Sequence, residues 1–190
     1  MTKQQLRKQF LDRRNQLSKA EVENWSLMIF ERFFINFEPK NKKIHVFLPI
    51  FEKNEINTFL LIEQLFAKTS CQIISSKSDF KTSQMEHFLI DENTHFEKDQ
   101  YNIPTPTNGK KANIDELDIV FVPMLCFDEQ GHRVGYGKGF YDIFLAQCSK
   151  KTLKIGLSFF EPISQISDIN THDIILDYCI TPNNIYHFKK

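Results

Sequence analysis

Residues 119–147 read IVFVPMLCFDEQGHRVGYGKGFYDIFLAQ. Positions 119–124 are the strongest strand pattern in the chain, a short apolar run of buried type. Four of the six glycines fall between 131 and 139. A helical pattern then covers 140–147. A strand, a glycine-rich turn and a helix make up the repeating unit of a parallel, helix-covered sheet. In such sheets ligands sit outside the carboxyl ends of the strands.

The flanking sequence supplies more of the same units. Residues 3–17 read as a helix with Leu6, Phe10 and Leu17 near one face and Lys3, Arg7, Arg13 and Arg14 on the rest. Ser18 and Glu21 form a Ser-x-x-Glu capping box. A second helix runs from there to about 34, with Val22, Trp25, Ile29 and Phe33 as its buried stripe. Residues 36–43 read as loop and 44–50 as a buried strand. Asn57 or Thr58 caps a helix over 59–68. Strands are expected at 71–75, 85–90, 154–159 and 178–181. Residues 91–116, with Pro104, Pro106 and Gly109, read mostly as loop, and the tail HFKK reads as a frayed end. The alternation predicts an α/β fold over residues 1–190: a single domain with a mostly parallel sheet covered by helices on both faces, a three-layer α/β/α arrangement.

Bulk properties restrict the function. Lys+Arg and Asp+Glu are both 24, so net charge is zero and no global field favours nucleic acid or an anionic membrane. An anionic ligand must be held by a local site. Cys71, Cys126, Cys148 and Cys179 are widely spaced, which argues against a zinc site and a disulfide scaffold and for buried free thiols in a reducing compartment. The N-terminus MTKQQLRKQF lacks the apolar core of a signal peptide. No apolar run reaches the ~20 residues of a membrane helix. A cytoplasmic enzyme, acting as a monomer, is the expectation.

The chemistry concentrates at 133–142. Gly135, Gly137 and Gly139 alternate, which lets a ligand approach the backbone closely and lets successive N–H groups form an anion nest before a helix N-terminus. Arg133 and Lys138 add positive charge where a phosphate would lie. Asp142, in the first helical turn, is placed to hold Mg²⁺. A flexible turn before a helix is the plainer alternative. Neither a Walker A loop nor a Rossmann fingerprint is present, because the spacing is G-x-G-x-G and comes late in the chain.

The stretch VPMLCFDEQGHRVGYGKGFYD resembles the signature of the 5-formyltetrahydrofolate cyclo-ligase family, roughly P-x-x-x-F-D-x-x-G-x-R-x-G-x-G-x-G-Y-Y-D. The K-x-x-L-R of Lys3 to Arg7 resembles that family's opening helix. IHVFLPIFEKNEINT resembles its folate-binding region, and HDIILDYCIT its C-terminal pattern. The resemblance implies an ATP- and Mg²⁺-dependent enzyme that converts 5-formyltetrahydrofolate to 5,10-methenyltetrahydrofolate, releasing ADP and phosphate.

It also implies roles by position. Lys3, Arg7, Arg133, Val134, Gly135, Tyr136, Gly137, Lys138, Gly139, Phe140 and Tyr141 match the ATP-binding positions. Leu48 and Glu55 match folate-contacting positions, and Tyr136 to Phe140 flank the folate too. Asp142 and Asp173 match magnesium positions. Lys138, with Arg133, is the candidate for stabilising the transferring phosphoryl group. Phe140 stands where the family often has Tyr, and Thr105 where it has Glu. His132 reads as a solvent-facing turn residue, and His172 as ordering the loop around Asp173. An α/β enzyme that acts on sugar phosphates or CoA esters without ATP, and a non-catalytic folate- or nucleotide-binding module, are the other functions these residues allow.

Overall fold

The computed structural model describes residues 1–188. Helix α1 spans Lys3–Asn15, α2 Lys19–Asn36, α3 Thr58–Lys68 and α4 Phe140–Gln147. The main-sheet strands are β1 (Lys43–His45), β2 (Gln72–Asp79), β3 (Gln84–Ile90), β6 (Lys110–Lys111), β7 (Ile119–Pro123), β10 (Leu153–Leu157), β11 (Tyr178–Ile180) and β12 (Ile185–His187). Two small hairpins pair β4 (Phe96–Lys98) with β5 (Pro104–Pro106), and β8 (Cys126–Phe127) with β9 (Arg133–Val134).

The sheet runs β12-β11-β10-β7-β1-β2-β3-β6. Its five middle strands, β11 to β2, are parallel. Antiparallel strands close both edges. β7 shows why both faces are covered. Ile119 and Phe121 enter the core under α1, α2 and α3, while Val120 and Val122 enter the one under α4. The expected three-layer α/β arrangement is the one observed.

Both N-terminal helices begin on capping boxes. That of α2 is the predicted Ser18–Glu21 pair. That of α1 pairs Thr2 with Gln5, a T-x-x-Q signal readable in the sequence. Leu17 lies beyond the end of α1, and Trp25 is half-buried against Phe159. Arg14 does not lie on the outer surface: it is 4% exposed.

Several other expectations change. Of the apolar run at 44–50 only Ile44 and His45 lie in a strand, β1, which begins at Lys43; the Val46 N–H adds a bond to Ile74 O at 2.8 Å. Residues 47–50 are buried, but the Phe47 carbonyl and the Ile50 N–H go to side chains, and Pro49 cannot donate to a ladder. Asn57 makes no side-chain cap bond. The Thr58 hydroxyl donates to Phe47 O at 2.5 Å instead of capping. The supposed loop 91–116 contains β4, β5 and β6. In the tail, His187 lies in β12 and Phe188 is buried, because β12 pairs with β11; the last two residues lie outside the described range. All four cysteines are free, Cys126 and Cys179 buried and the other two half-buried.

Under α4, His45 and His87 lie 5.3 Å apart between ring centroids, each 4.6 Å from Phe144. Both His45 nitrogens are buried without a partner among the described residues. Burial lowers His45 well below 6.5, and lowers His87 to about 4. Unfolding therefore takes up protons, so stability present above about pH 6.5 falls as pH drops toward 4. His87→Asn is expected to flatten that slope by up to ~1.4 kcal/mol per pH unit. Denaturant unfolding at pH 7, 6 and 5 checks it. An unchanged slope would mean that His87 is already protonated in the fold.

Candidate functional site

The strand order reverses between β1 and β7, the place where an open α/β sheet opens a crevice beyond its carboxyl ends. A cleft lies there, lined by Arg14, Phe47, Glu55, Met124, Phe159 and Phe160 among others. The segment leaving β1 forms one wall. Leu48, 6% exposed, packs into the core under α1–α3 and anchors that wall. The Ile50 N–H donates to Glu55 Oε2 at 2.7 Å and fixes the carboxylate, which is 5% exposed.

Across the cleft the glycine loop meets Glu55. The Tyr136 hydroxyl donates to Glu55 Oε1 and accepts from Arg14 Nη2. Lys53 Nζ sits 4.4 Å from the centre of the Tyr136 ring. Burial first, then the Glu55 charge, raises the Tyr136 phenol well above its ordinary value. Tyr141 packs against both cores, and desolvation raises its phenol likewise. Neither hydroxyl ionises near neutral pH.

The loop itself is launched by the β8–β9 hairpin. Asp128, fully buried, accepts from the N–H groups of Gln130 at 3.0 Å, His132 at 2.9 Å and Ile166 at 3.2 Å. His132 is not a solvent-facing residue: its Nδ1 lies 3.3 Å from Asp128 Oδ2, and its side chain is 12% exposed. Arg133 and Val134 are buried in β9. Arg7 Nε then donates to Gly135 O at 2.9 Å. A Cβ on Gly137 would lie 2.9 Å from Arg7 Cζ, and φ there is +87°. Only glycine lets the loop pass so close to that guanidinium.

Gly137, Lys138 and Gly139 are exposed, and the backbone N–H groups of 136–139 find no acceptor among the described residues. Gly139, at φ +74°, is the N-cap of α4. The loop thus offers free donors, a helix N-terminus and the Lys138 ammonium together, an anion-binding arrangement. Phe140 packs edge-on against Phe80 of the β2–β3 turn, 5.0 Å between centroids.

Two carboxylates lie beside this loop. Arg133 Nη2 donates to Asp142 Oδ1 at 2.6 Å, and Arg133 Nη1 donates to Ile174 O. The Ile174 N–H reaches the same Asp142 oxygen at 3.2 Å. Burial lowers the Arg133 guanidinium from its ordinary value, opposed by Asp142 and Asp173. Lys3 Nζ donates to Asp173 Oδ2, which also accepts from the Asn170 N–H at 2.7 Å. Burial would raise the Asp173 carboxyl, but Lys3 and the Asn170 N–H outweigh it and hold it below its ordinary value. The Asn170 side chain, not His172, orders that loop; the His172 N–H donates to it at 3.1 Å.

The structure therefore brings Lys3, Arg7, Glu55, Asp142, Asp173 and the loop from Arg133 to Tyr141 to one end of the sheet. Leu48 stands behind them as support. Its charge puts Arg14 with the surface residues, although its spacing from Leu6 and Phe10 continues the buried stripe of α1; nothing local signals its contacts with Tyr136 and Glu55. Asp128, which sets the turn, was visible in the sequence as an acidic residue ahead of a glycine.

Known proteins resemble this chain in sequence and in fold. The model of the 5-formyltetrahydrofolate cyclo-ligase family matches residues 1–182. The 5-formyltetrahydrofolate cyclo-ligase of Mycoplasma genitalium is 30% identical over 165 residues, 83% of this chain and 84% of the relative. That of Mus musculus is 28% identical over 187 residues, 92% of this chain and 91% of the relative. The NMR structure of Aquifex aeolicus 5,10-methenyltetrahydrofolate synthetase superposes with a TM-score of 0.84 at 26% identity, covering 100% of this chain and 94% of that one. Agreement of that extent, in sequence and in fold, makes the chain a member of the 5-formyltetrahydrofolate cyclo-ligase family.

Proposed function

We propose that the chain uses ATP and Mg²⁺ to convert 5-formyltetrahydrofolate to 5,10-methenyltetrahydrofolate, releasing ADP and phosphate. The observation that carries this reading is that one short segment ties two chemistries together. Its start, Tyr136, bonds the buried Glu55, and its end, Asp142, bonds Arg133, with the exposed Lys138 between them.

The formyl oxygen attacks the γ-phosphorus and ADP leaves. N10 of the folate then attacks the activated formyl carbon, and phosphate departs as the ring closes. Such transfers need positioning and charge neutralisation more than a covalent nucleophile. Lys3 and Arg7 on α1, the loop N–H groups and Lys138 supply positive charge for the phosphates. Arg133 holds Asp142 and the Ile174 backbone in register. Leu48 and Glu55 serve the folate, Glu55 by accepting from ring N–H groups, with the segment from Tyr136 to Phe140 lying between the two substrates.

Asp142 and Asp173 fit a magnesium ion. Both offer hard carboxylate oxygens, and Asp142 Oδ2 and Asp173 Oδ1 have no partner among the described residues. No cluster of three or more His, Cys, Asp or Glu able to hold a metal occurs among the described residues. Magnesium is usually held by one or two carboxylates plus water and substrate phosphates. When bound, it would neutralise charge on those phosphates.

The same reading makes the protein a single cyclo-ligase domain over residues 1–190, a cytoplasmic monomer whose partners are its two substrates, with no nucleic acid or membrane. The balanced charge agrees with this, and no helix among the described residues is long and apolar enough to cross a membrane.

ADP release should require 5-formyltetrahydrofolate and match methenyl product one to one. ADP released without the folate, at the full rate, would contradict the coupling. Glu55→Gln is expected to raise the KM for 5-formyltetrahydrofolate by about tenfold or more and leave the KM for ATP near normal. Initial rates with each substrate varied check this. An effect confined to ATP would remove Glu55 from the folate side.

A further inference from the structure

Arg14 is a cation on the buried stripe of α1, one helical turn beyond Phe10 and two beyond Leu6. Its Nη2 donates to the Tyr136 hydroxyl and stands 3.8 Å from Glu55 Oε1. Its Nε is buried with no partner among the described residues. The remaining cleft walls beside it, Phe47, Met124 and Phe160, are apolar. Burying a guanidinium with an unused donor is costly, and an apolar side chain of similar volume is often at least as stable in such a place. A buried group that stability does not explain needs another reason. Arg14 joins α1 to both sides of the cleft: Glu55 on the segment after β1, and Tyr136 on the glycine loop.

We infer that Arg14 is a positioning residue for the folate substrate, holding Tyr136 and Glu55 in one buried network so that the carboxylate meets the ring N–H groups in a fixed orientation. This rests on the function proposed above. Tyr136 is the bridge: its hydroxyl accepts from Arg14 and donates to Glu55. Because Tyr136 is also part of the nucleotide loop, the network sets the distance between the folate end and the phosphate end of the site.

The test is steady-state kinetics on full-length Arg14→Met, Tyr136→Phe, Glu55→Gln and the Arg14→Met/Glu55→Gln double variant. Arg14→Met is expected to raise the KM for 5-formyltetrahydrofolate about tenfold or more, with the KM for ATP within about twofold of wild type. Tyr136→Phe should raise the same KM, and Arg14→Met should add little once Glu55 is Gln, the non-additivity of a shared network. A merely structural Arg14 would raise both KM values together as the melting temperature fell, and that pattern overturns the inference. So does a wild-type folate KM in Arg14→Met. Should Arg14→Met fail to fold, a wild-type folate KM in Tyr136→Phe overturns it. If wild-type protein itself makes no methenyl product, the proposed function fails; an active wild type with an indifferent Arg14 sinks only the network.

Discussion

Lys138→Ala is expected to lower turnover by about 10²-fold or more while leaving the melting temperature unchanged. That loss is the scale of removing one electrostatic donor aimed at a transition state. The structure separates the two effects. Lys138 is exposed and makes no hydrogen bond or ion pair among the described residues. The loop is held without it, by Arg7 on Gly135 and by Gly139 at the start of α4. Nothing in the fold depends on its side chain, so its removal appears in chemistry. Lys138→Arg should recover part of the rate, since charge is kept but its shape and reach change. Near-normal turnover in Lys138→Ala, measured at saturating substrates, would move the phosphate site away from the loop.

Arg133→Ala should lose both rate and stability. Its guanidinium links the first turn of α4 to the 170–174 loop, through Asp142 and Ile174 O, beside the direct bond from the Ile174 N–H to Asp142. Without it Asp142 keeps only the Ile174 N–H as an anchor and Asp173 loses a nearby positive charge, so turnover is expected to fall by ~10²-fold or more. The side chain is 7% exposed, but that of Asp142 is 34% exposed and can rehydrate. The stability cost is therefore put at about 2 kcal/mol, below that of breaking a fully buried pair. Arg133→Lys keeps charge but not the fork, and should restore more stability than rate. Denaturant unfolding beside kinetics reads both effects. Wild-type turnover in folded Arg133→Ala would show that the Asp142 orientation does not matter.

The parts of the fold legible in sequence are those where local pattern and tertiary environment agree. Residues 119–147 alternate faces, turn at glycine and resume as helix, and the structure follows them. The Ser18–Glu21 capping box does the same for α2. The run at 44–50 was less transparent. Apolar content reported its burial correctly, but pairing stops near Val46, where side chains of Glu55 and Thr58 take over the backbone groups. The outer half of β2 is polar because it lies in an exposed hairpin with β3, so hydropathy does not mark it. The site was legible as a list of residues and not as a geometry. Lys3 and Arg7 sit four apart on one helix, but their partners Asp173 and Gly135 lie 170 and 128 positions away. Arg14 was hidden by its charge: its spacing from Leu6 and Phe10 puts it on the buried stripe, but its partners Tyr136 and Glu55 come from distant parts of the chain.

The most direct test of the account follows the methenyl-folate absorbance of purified, folded protein given 5-formyltetrahydrofolate and Mg²⁺, with and without ATP. The account predicts absorbance that grows only when ATP is present. No growth with ATP, or equal growth without it, would contradict it.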